Sequence, residues 1–83
     1  METVISADLV QQLASGQRCE INHCSLHPDE QLGVIWGVDP YGLDFIASNQ
    51  FSLGDLENAK KALLRANEVG DGNNVHDHYY GID

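Results

Sequence analysis

Apolar residues alternate with glycine or polar residues along two segments near the middle of the chain, 32–38 and 43–47. Alternation with a period of two is typical of a β-strand that buries one face. Residues 39–42, Asp-Pro-Tyr-Gly, carry the Asp, Pro and Gly of a type I turn. The pattern therefore predicts a β-hairpin.

The register of this hairpin decides which face of the sheet is buried. If Val38 faces Leu43 across the turn, Trp36 faces Phe45 and the bulky apolar side chains share one face. We expect helices to cover that face. The opposite face then keeps two large apolar side chains, Ile35 and Ile46.

Two segments outside the hairpin have apolar residues at helical spacing. The first predicts a helix over 7–15, with Ser6 as the N-cap and Gly16 as the stop signal. The second follows a capping box at 52–55, in which Asp replaces the usual Glu, and it predicts a helix over 53–70.

Residues 18–26 predict a further strand, although neither set of alternating positions is uniformly apolar, so the sequence leaves its buried face open. On one continuous strand, Cys19 and Cys24 are too far apart for a disulfide and lie on opposite faces. We expect two reduced thiols, as is usual in the cytoplasm.

The predicted order of elements is α-β-β-β-α. It indicates an α+β fold of two layers, in which a three-stranded antiparallel meander is covered on one face by two helices. We expect residues 1–70 to form this compact domain. Residues 71–83 begin with a flexible Gly- and Asn-rich joint and continue as a polar, aromatic C-terminal tail.

Thirteen acidic residues oppose four basic ones, for a formal net charge of −9. Segment 52–66 holds three of the basic residues and two acidic ones, for +1, so the rest of the chain carries −10. Such a surface repels nucleic acid and anionic membranes and attracts basic protein surfaces. Because the N-terminus does not resemble a signal peptide and no run of 18 apolar residues occurs, we expect a cytoplasmic protein without membrane contact.

Residues with catalytic or metal-binding side chains form no recognisable motif. No Ser or Cys has a nucleophile context and no Gly-rich phosphate loop occurs, so we expect the protein not to be an enzyme. Structural zinc sites usually place two Cys on a turn, a few residues apart, which this sequence does not do. We expect no metal and no cofactor, although four side chains have suitable chemistry: Cys24, His27, His76 and His78.

The run Ala-Lys-Lys-Ala-Leu at 59–63, in a helix that follows three strands, resembles the last helix of double-stranded-RNA-binding domains. That resemblance implies the same order of elements. RNA binding in that family uses a basic cluster at the start of the helix, where this chain has Asp55 and Glu57, so we expect no direct contact with nucleic acid. Residues 52–59 are also similar to the folded half of small antitoxins of the HicB kind.

A small acidic domain without an active site is best explained by binding to another protein, and its charge predicts a basic partner. Our leading hypothesis is an inhibitor of a nuclease or nucleoprotein complex. In size and acidity the chain is similar to anti-CRISPR and other anti-defence proteins of phages and to bacteriocin immunity proteins. The alternatives are a metal- or redox-responsive regulator that uses Cys19, Cys24 and the histidines, and an acidic antitoxin or accessory subunit.

The candidate partner-binding residues are carboxylates near the ends of strands and tyrosines in turns or in the tail. The meander predicts that Glu20, Asp39 and Asp44 gather at one end of the sheet. The full set is Glu20, Asp29, Glu30, Asp39, Tyr41, Asp44, Tyr79 and Tyr80. The sequence leaves open whether the protein is a monomer or a homodimer.

Overall fold

The computed structural model of the protein describes residues 5–72. The α+β class predicted from the sequence is confirmed. The predicted tail lies largely outside the described residues. The elements are α1 (Ala7–Ala14), β1 (Cys19–Ile21), β2 (Cys24–Asp29), β3 (Val34–Val38), β4 (Asp44–Ser48) and α2 (Leu56–Gly70).

The described sheet has four antiparallel strands in the order β1-β2-β3-β4. The prediction of a three-stranded meander is therefore wrong, because segment 18–26 folds back on itself. It turns at Asn22 and His23, where the backbone φ angles are +51° and +68°. Two successive positive φ angles mark the two-residue turn that best matches the twist of a hairpin, and Asn adopts this conformation readily.

The central hairpin is present, but its register differs by one residue from the predicted one. Trp36 pairs with Ile46, and Gly37 pairs with Phe45. Because side chains alternate across a strand, this shift takes Trp36 away from the core and buries Ile35 in its place. The prediction that Trp36 lies on the helix-covered face is therefore wrong.

A glycine on the buried face explains the observed register. The ring of Phe45 lies over Gly37, and a Cβ added to Gly37 would approach this ring to 2.6 Å and Leu26 Cδ2 to 3.0 Å. These distances are shorter than ordinary van der Waals contact, so only glycine leaves room for the ring at this position.

One cluster of buried side chains joins both helices to one face of the sheet. Its centre comprises Leu13 of α1, Leu63 of α2, Leu26 of β2 and Ile35 of β3, all 0% exposed. Burial of a side chain of this size contributes about 1.5–3 kcal/mol. The cluster is therefore a main source of stability and holds the sheet at a fixed position against the helices.

α2 begins later than the predicted residue 53. Gly54 has φ +86°, a left-handed conformation that is incompatible with a continuing α-helix. Asp55, rather than Ser52, is the N-cap, and its Oδ1 accepts a hydrogen bond from Asn58 N at 3.0 Å. The same Asp therefore caps the helix instead of closing a capping box.

α1 is close to its prediction. Ser6 Oγ accepts a hydrogen bond from Asp8 N at 3.1 Å, which confirms Ser6 as the N-cap. The helix ends at Ala14, one residue before the predicted end, and α2 ends at the predicted Gly70. Over residues 5–72, neither helix has the length and apolar character needed to cross a membrane.

Candidate functional site

The outer face of the sheet, as we call it, is the face that points away from the buried cluster. Its side chains occupy alternate positions of the four strands and are half-buried or exposed. Antiparallel pairing arranges them in rows that cross the sheet. The outer face comprises Glu20, Ser25, His27, Asp29, Val34, Trp36, Val38, Asp44 and Ile46, together with Arg18, which directly precedes β1.

The central row of the outer face contains an aromatic stack. His27 pairs with Trp36, and Trp36 pairs with Ile46 on the next strand. The His27 and Trp36 ring centroids are 4.3 Å apart, and the ring planes differ by 18°. The Ile46 side chain at the end of the row is 55% exposed. An accessible apolar and aromatic group of this kind is typical of interaction surfaces.

The imidazole of His27 is held in its neutral form. Ser25 Oγ lies 2.9 Å from His27 Nε2. Desolvation lowers the pKa of His27 below its usual 6.5, the positive charge of Arg18 lowers it further, and Asp44 opposes this shift. The stack therefore favours the neutral imidazole at pH 7.

The neighbouring row carries carboxylates at its two ends. Glu20 pairs with Ser25, Ser25 with Val38, and Val38 with Asp44. Glu20 and Asp44 thus share one end of the sheet but lie on opposite edge strands, about 14 Å apart at three strand spacings. Arg18 Nη2 donates to Glu20 Oε2 at 2.6 Å, so the charge of Glu20 is partly neutralised, while Asp44 is exposed.

Asp39 serves the hairpin turn. Its side chain is 3% exposed, and its Oδ1 accepts hydrogen bonds from Tyr41 N at 2.9 Å and Leu43 N at 2.8 Å. The carboxylate is therefore turned toward its own backbone, which is not the position of a partner-steering charge. Tyr41, at the tip of the turn, is 75% exposed.

Asp29 and Glu30 lie at the opposite end of β2. Asp29 Oδ1 accepts a hydrogen bond from Leu32 N at 3.0 Å, and its carbonyl accepts one from Gly33 N at 2.8 Å. Glu30 is exposed. Of this pair, Asp29 thus stabilises the turn before β3, and Glu30 presents its charge to solvent.

The two cysteines lie on neighbouring antiparallel strands. Cys19 pairs with Leu26 and Cys24 pairs with Ile21, and both cysteines are buried. The prediction that they lie on opposite faces of one strand is therefore wrong, since the hairpin turn between them returns Cys24 to the buried face. Both are free thiols, and Cys24 Sγ donates to Ala66 O at 3.4 Å.

The environment of both thiols disfavours ionisation. Burial raises the pKa of Cys19, against the effect of Arg18, and burial together with the charge of Asp39 raises the pKa of Cys24 to about 11. A thiol must ionise to bind a metal or act as a nucleophile. Cys24 faces the core and His27 the outer face, so this candidate pair does not converge. Within residues 5–72, no group of three or more His, Cys, Asp or Glu side chains could hold a metal ion.

The aromatic stack is the feature that the sequence-based prediction missed. The stack depends on the pairing of β2 with β3. That pairing could have been predicted if Asn22 had been recognised as a turn residue within the otherwise alternating segment. The remaining candidates lie outside the described residues: His76, His78, Tyr79 and Tyr80.

Charge is unevenly distributed between the helices and the sheet. α1 and α2 together carry three acidic and three basic residues, so they are neutral overall. Segment 18–48, which contains the four strands, has five acidic residues and Arg18, for −4. The aromatic stack is therefore part of a negatively charged segment.

Comparison of the chain with protein-family models, with curated proteins and with solved structures finds no match.

Proposed function

We propose that this chain is a small acidic inhibitor of a basic nucleic-acid-binding protein, either a nuclease or a nucleoprotein complex, of the anti-CRISPR, anti-defence or immunity type. The observation that carries the proposal is the presence on one face of an accessible aromatic stack, His27 and Trp36, within a sheet segment of net negative charge. The protein acts by binding and has no catalytic role. Its free, buried thiols support action in the cytoplasm.

The apolar and the charged side chains of the outer face have separate roles in this proposal. Large aromatic side chains supply most of the affinity in many protein interfaces, and Trp is among the most frequent of them. Exposed carboxylates add speed of association and selectivity for a basic surface. Trp36 and Ile46 take the first role in this proposal, and Asp44 and Glu20 take the second.

Inhibition follows from competition. A protein that binds nucleic acid presents Lys and Arg to the phosphates, so its binding site is positively charged. An acidic sheet that occupies this site excludes the nucleic acid without any chemical step. The partner therefore contributes the positive charge, and this chain contributes a rigid negative surface.

The direct test is affinity capture from an extract of the source cell or its host, with the full chain as bait, followed by mass spectrometry. We expect a basic nucleic-acid-binding protein. After purification of that protein, addition of the chain should reduce its binding to nucleic acid. Capture of an acidic partner, or of a protein whose nucleic-acid binding is unchanged, would contradict the proposal.

Charge-reversal variants test whether the outer face is the surface that binds the partner. We expect Glu20→Lys together with Asp44→Lys to slow association with the captured partner about tenfold or more at low salt, because steering by exposed charges is lost. The difference should shrink above about 0.1 M salt, where the screening length falls below about 10 Å. Stopped-flow or surface-binding kinetics measure both effects.

For the single reversal Asp44→Lys, the matched control is Glu57→Lys, an equal charge change at an exposed position of α2. It should slow association much less than a reversal at Asp44. A second variant, Trp36→Leu, should mainly speed dissociation, since it removes aromatic contact and leaves the charge unchanged. Association that is insensitive to salt and to all these variants would exclude the outer face.

A further inference from the structure

β4 is an edge strand with unused backbone groups. In the described chain it pairs on one side only, with β3. Asp39 N donates to Leu43 O, and hydrogen-bonded pairs recur at every second residue of an antiparallel ladder, so Phe45 points its backbone groups toward β3. The backbone N–H and C=O of Asp44 and Ile46 then point outward. Such an edge is a template for a further strand.

The usual protections of an edge are weak at β4. Edge strands are commonly shortened, or they carry Lys or Pro. The opposite edge, β1, has three residues, whereas β4 has five and contains neither Lys nor Pro. The exposed Ile46 side chain also lies next to the unpaired backbone.

A groove of about 460 Å³ runs beside this edge, on the side of α2. Residues 46–50 form one wall. The other wall comes from α2 and consists of Asn58, Lys61 and Arg65. Half of the four basic residues of this acidic chain therefore line one groove.

The two cations keep hydrogen-bonding capacity for a ligand. Lys61 Nζ lies 3.6 Å from Glu57 Oε2, and Arg65 Nη1 lies 3.9 Å from Glu68 Oε1. Both separations exceed a hydrogen bond, and an ammonium or guanidinium group carries several N–H donors. A carboxylate that enters the groove would therefore find suitable donors.

We propose that β4 binds an extended segment of a partner protein as an added antiparallel strand, with an acidic side chain in the groove. Antiparallel pairing fixes the order of four consecutive side chains in the bound partner segment. The first is acidic and enters the groove, the second is apolar and lies beside Ile46, the third is opposite Phe45, and the fourth is basic and lies beside Asp44. The edge shares the Asp44 and Ile46 side chains with the outer face, but strand addition uses the outward backbone groups of β4 and does not depend on the proposed inhibitory function.

A second copy of the chain is a poorer occupant. Two β4 strands related by a two-fold axis would bring the same groove, with Lys61 and Arg65, against itself. Like charges would then meet, and each copy would add a net charge of −9.

The probe is a blocked eight-residue peptide, Thr-Thr-Glu-Val-Thr-Lys-Thr-Thr, added to the full ¹⁵N-labelled chain. We expect chemical-shift changes along β4 and the groove. Hydrogen exchange of the Asp44 and Ile46 amides should slow by about tenfold or more at saturating peptide, because both amides gain partners. No binding at millimolar peptide would overturn the proposal.

Two control peptides separate strand addition from attraction of charges. The reversed sequence has the same composition but places its acid beside Asp44, so it should bind much more weakly. A peptide with an N-methyl group on the valine amide keeps all charges and loses the hydrogen bond to the Ile46 carbonyl, so it should also bind weakly. Equal binding of all three peptides would overturn the proposal.

Matched variants of the chain test the groove. Lys61→Gln with Arg65→Gln should weaken peptide binding about three- to tenfold, as expected for two exposed ion pairs. Lys60→Gln, in the cleft between α1 and α2, should leave it unchanged. Shift changes centred on Trp36, or slow exchange at Ile46 that depends on protein concentration without peptide, would instead identify the outer face or a second copy as the binding mode.

Discussion

Two glycines let neighbouring elements approach more closely than any other residue would allow. A Cβ on Gly37 would collide with the ring of Phe45, and a Cβ on Gly70 would collide with the backbone carbonyl of Asn22. The first approach sets the register of the central hairpin. The second sets the position of the last turn of α2 against the β1–β2 hairpin.

Gly37→Ala should lower the free energy of unfolding by about 1–3 kcal/mol, the usual cost of overpacking a core. Urea denaturation measures the loss. In a Phe45→Leu background the same substitution should cost less, because a smaller side chain leaves space for the new methyl group. An equal cost in both backgrounds would show that the ring is not the obstacle.

Three aspartates form local hydrogen bonds that the sequence did not predict in this form. Asp39 and Asp29 accept backbone hydrogen bonds in turns. Asp55 caps α2, and the hydrogen bonds from the Asn58 side chain and backbone lower its pKa. An Asp at a turn suits both local bonding and solvent exposure, so the pattern identified the positions but not the direction in which each carboxylate points.

At the scale of elements, the sequence predicted what local chemistry determines. Ser6 caps α1 and residues 39–42 form a turn because both depend on neighbours in the chain. The predicted register of β3 and β4 was wrong because both possible registers fit the alternating pattern. The choice between the two registers depends on the non-local contact between Gly37 and Phe45. The β1–β2 hairpin was missed because its turn, Asn22 and His23, contains neither Gly nor Pro, and non-glycine residues seldom adopt positive φ.

The central row of the outer face, His27, Trp36 and Ile46, makes stability depend on pH through His27. Its pKa is lower in the folded chain than in the unfolded chain, so the unfolded state binds the proton more readily. The contribution of neutral His27 to the free energy of unfolding is complete above about pH 6.5 and is lost as the pH falls toward the folded pKa. We expect the free energy of unfolding to decrease from pH 7.5 to 5.5.

His27→Phe keeps an aromatic ring beside Trp36 and removes the titration, so it should flatten this pH dependence. His23→Asn is the control, since His23 is exposed in the turn and Asn tolerates its positive φ. Denaturation at a series of pH values measures the effect, and NMR titration of the His27 ring gives its folded pKa directly. A stability that rises on acidification through this range would contradict the assignment.

At the scale of the whole molecule, the acidic charge lies mostly with the sheet and the segments outside the helices. The sequence predicted the sign of the surface charge, but the distribution of that charge over the surface depends on the fold. The predicted domain boundary at residue 70 stays a prediction. Asn22 Nδ2 donates to Asn67 O at 2.8 Å and to Asp71 Oδ1 at 2.7 Å, so Asp71 contacts the β1–β2 hairpin.

The contact between Asn22 and the end of α2 also bears on how long the native state lasts. It joins residues 45 and 49 positions apart in the chain. Closing so long a loop is entropically costly, so we expect this contact to form after the transition state for folding. A contact of that kind slows unfolding without speeding folding.

Asn22→Gly keeps the positive φ and removes both side-chain hydrogen bonds, which contribute about 1–2 kcal/mol together. Unfolding should become about five- to thirtyfold faster, with little change in the folding rate. Stopped-flow chevron plots measure both rates, with His23→Gly as the control in the same turn. Slower folding with unchanged unfolding would instead place this contact in the folding nucleus. If the expectation is correct, one amide group at the hairpin turn sets the lifetime of the folded protein, and with it the resistance to proteolysis wherever cleavage outpaces refolding.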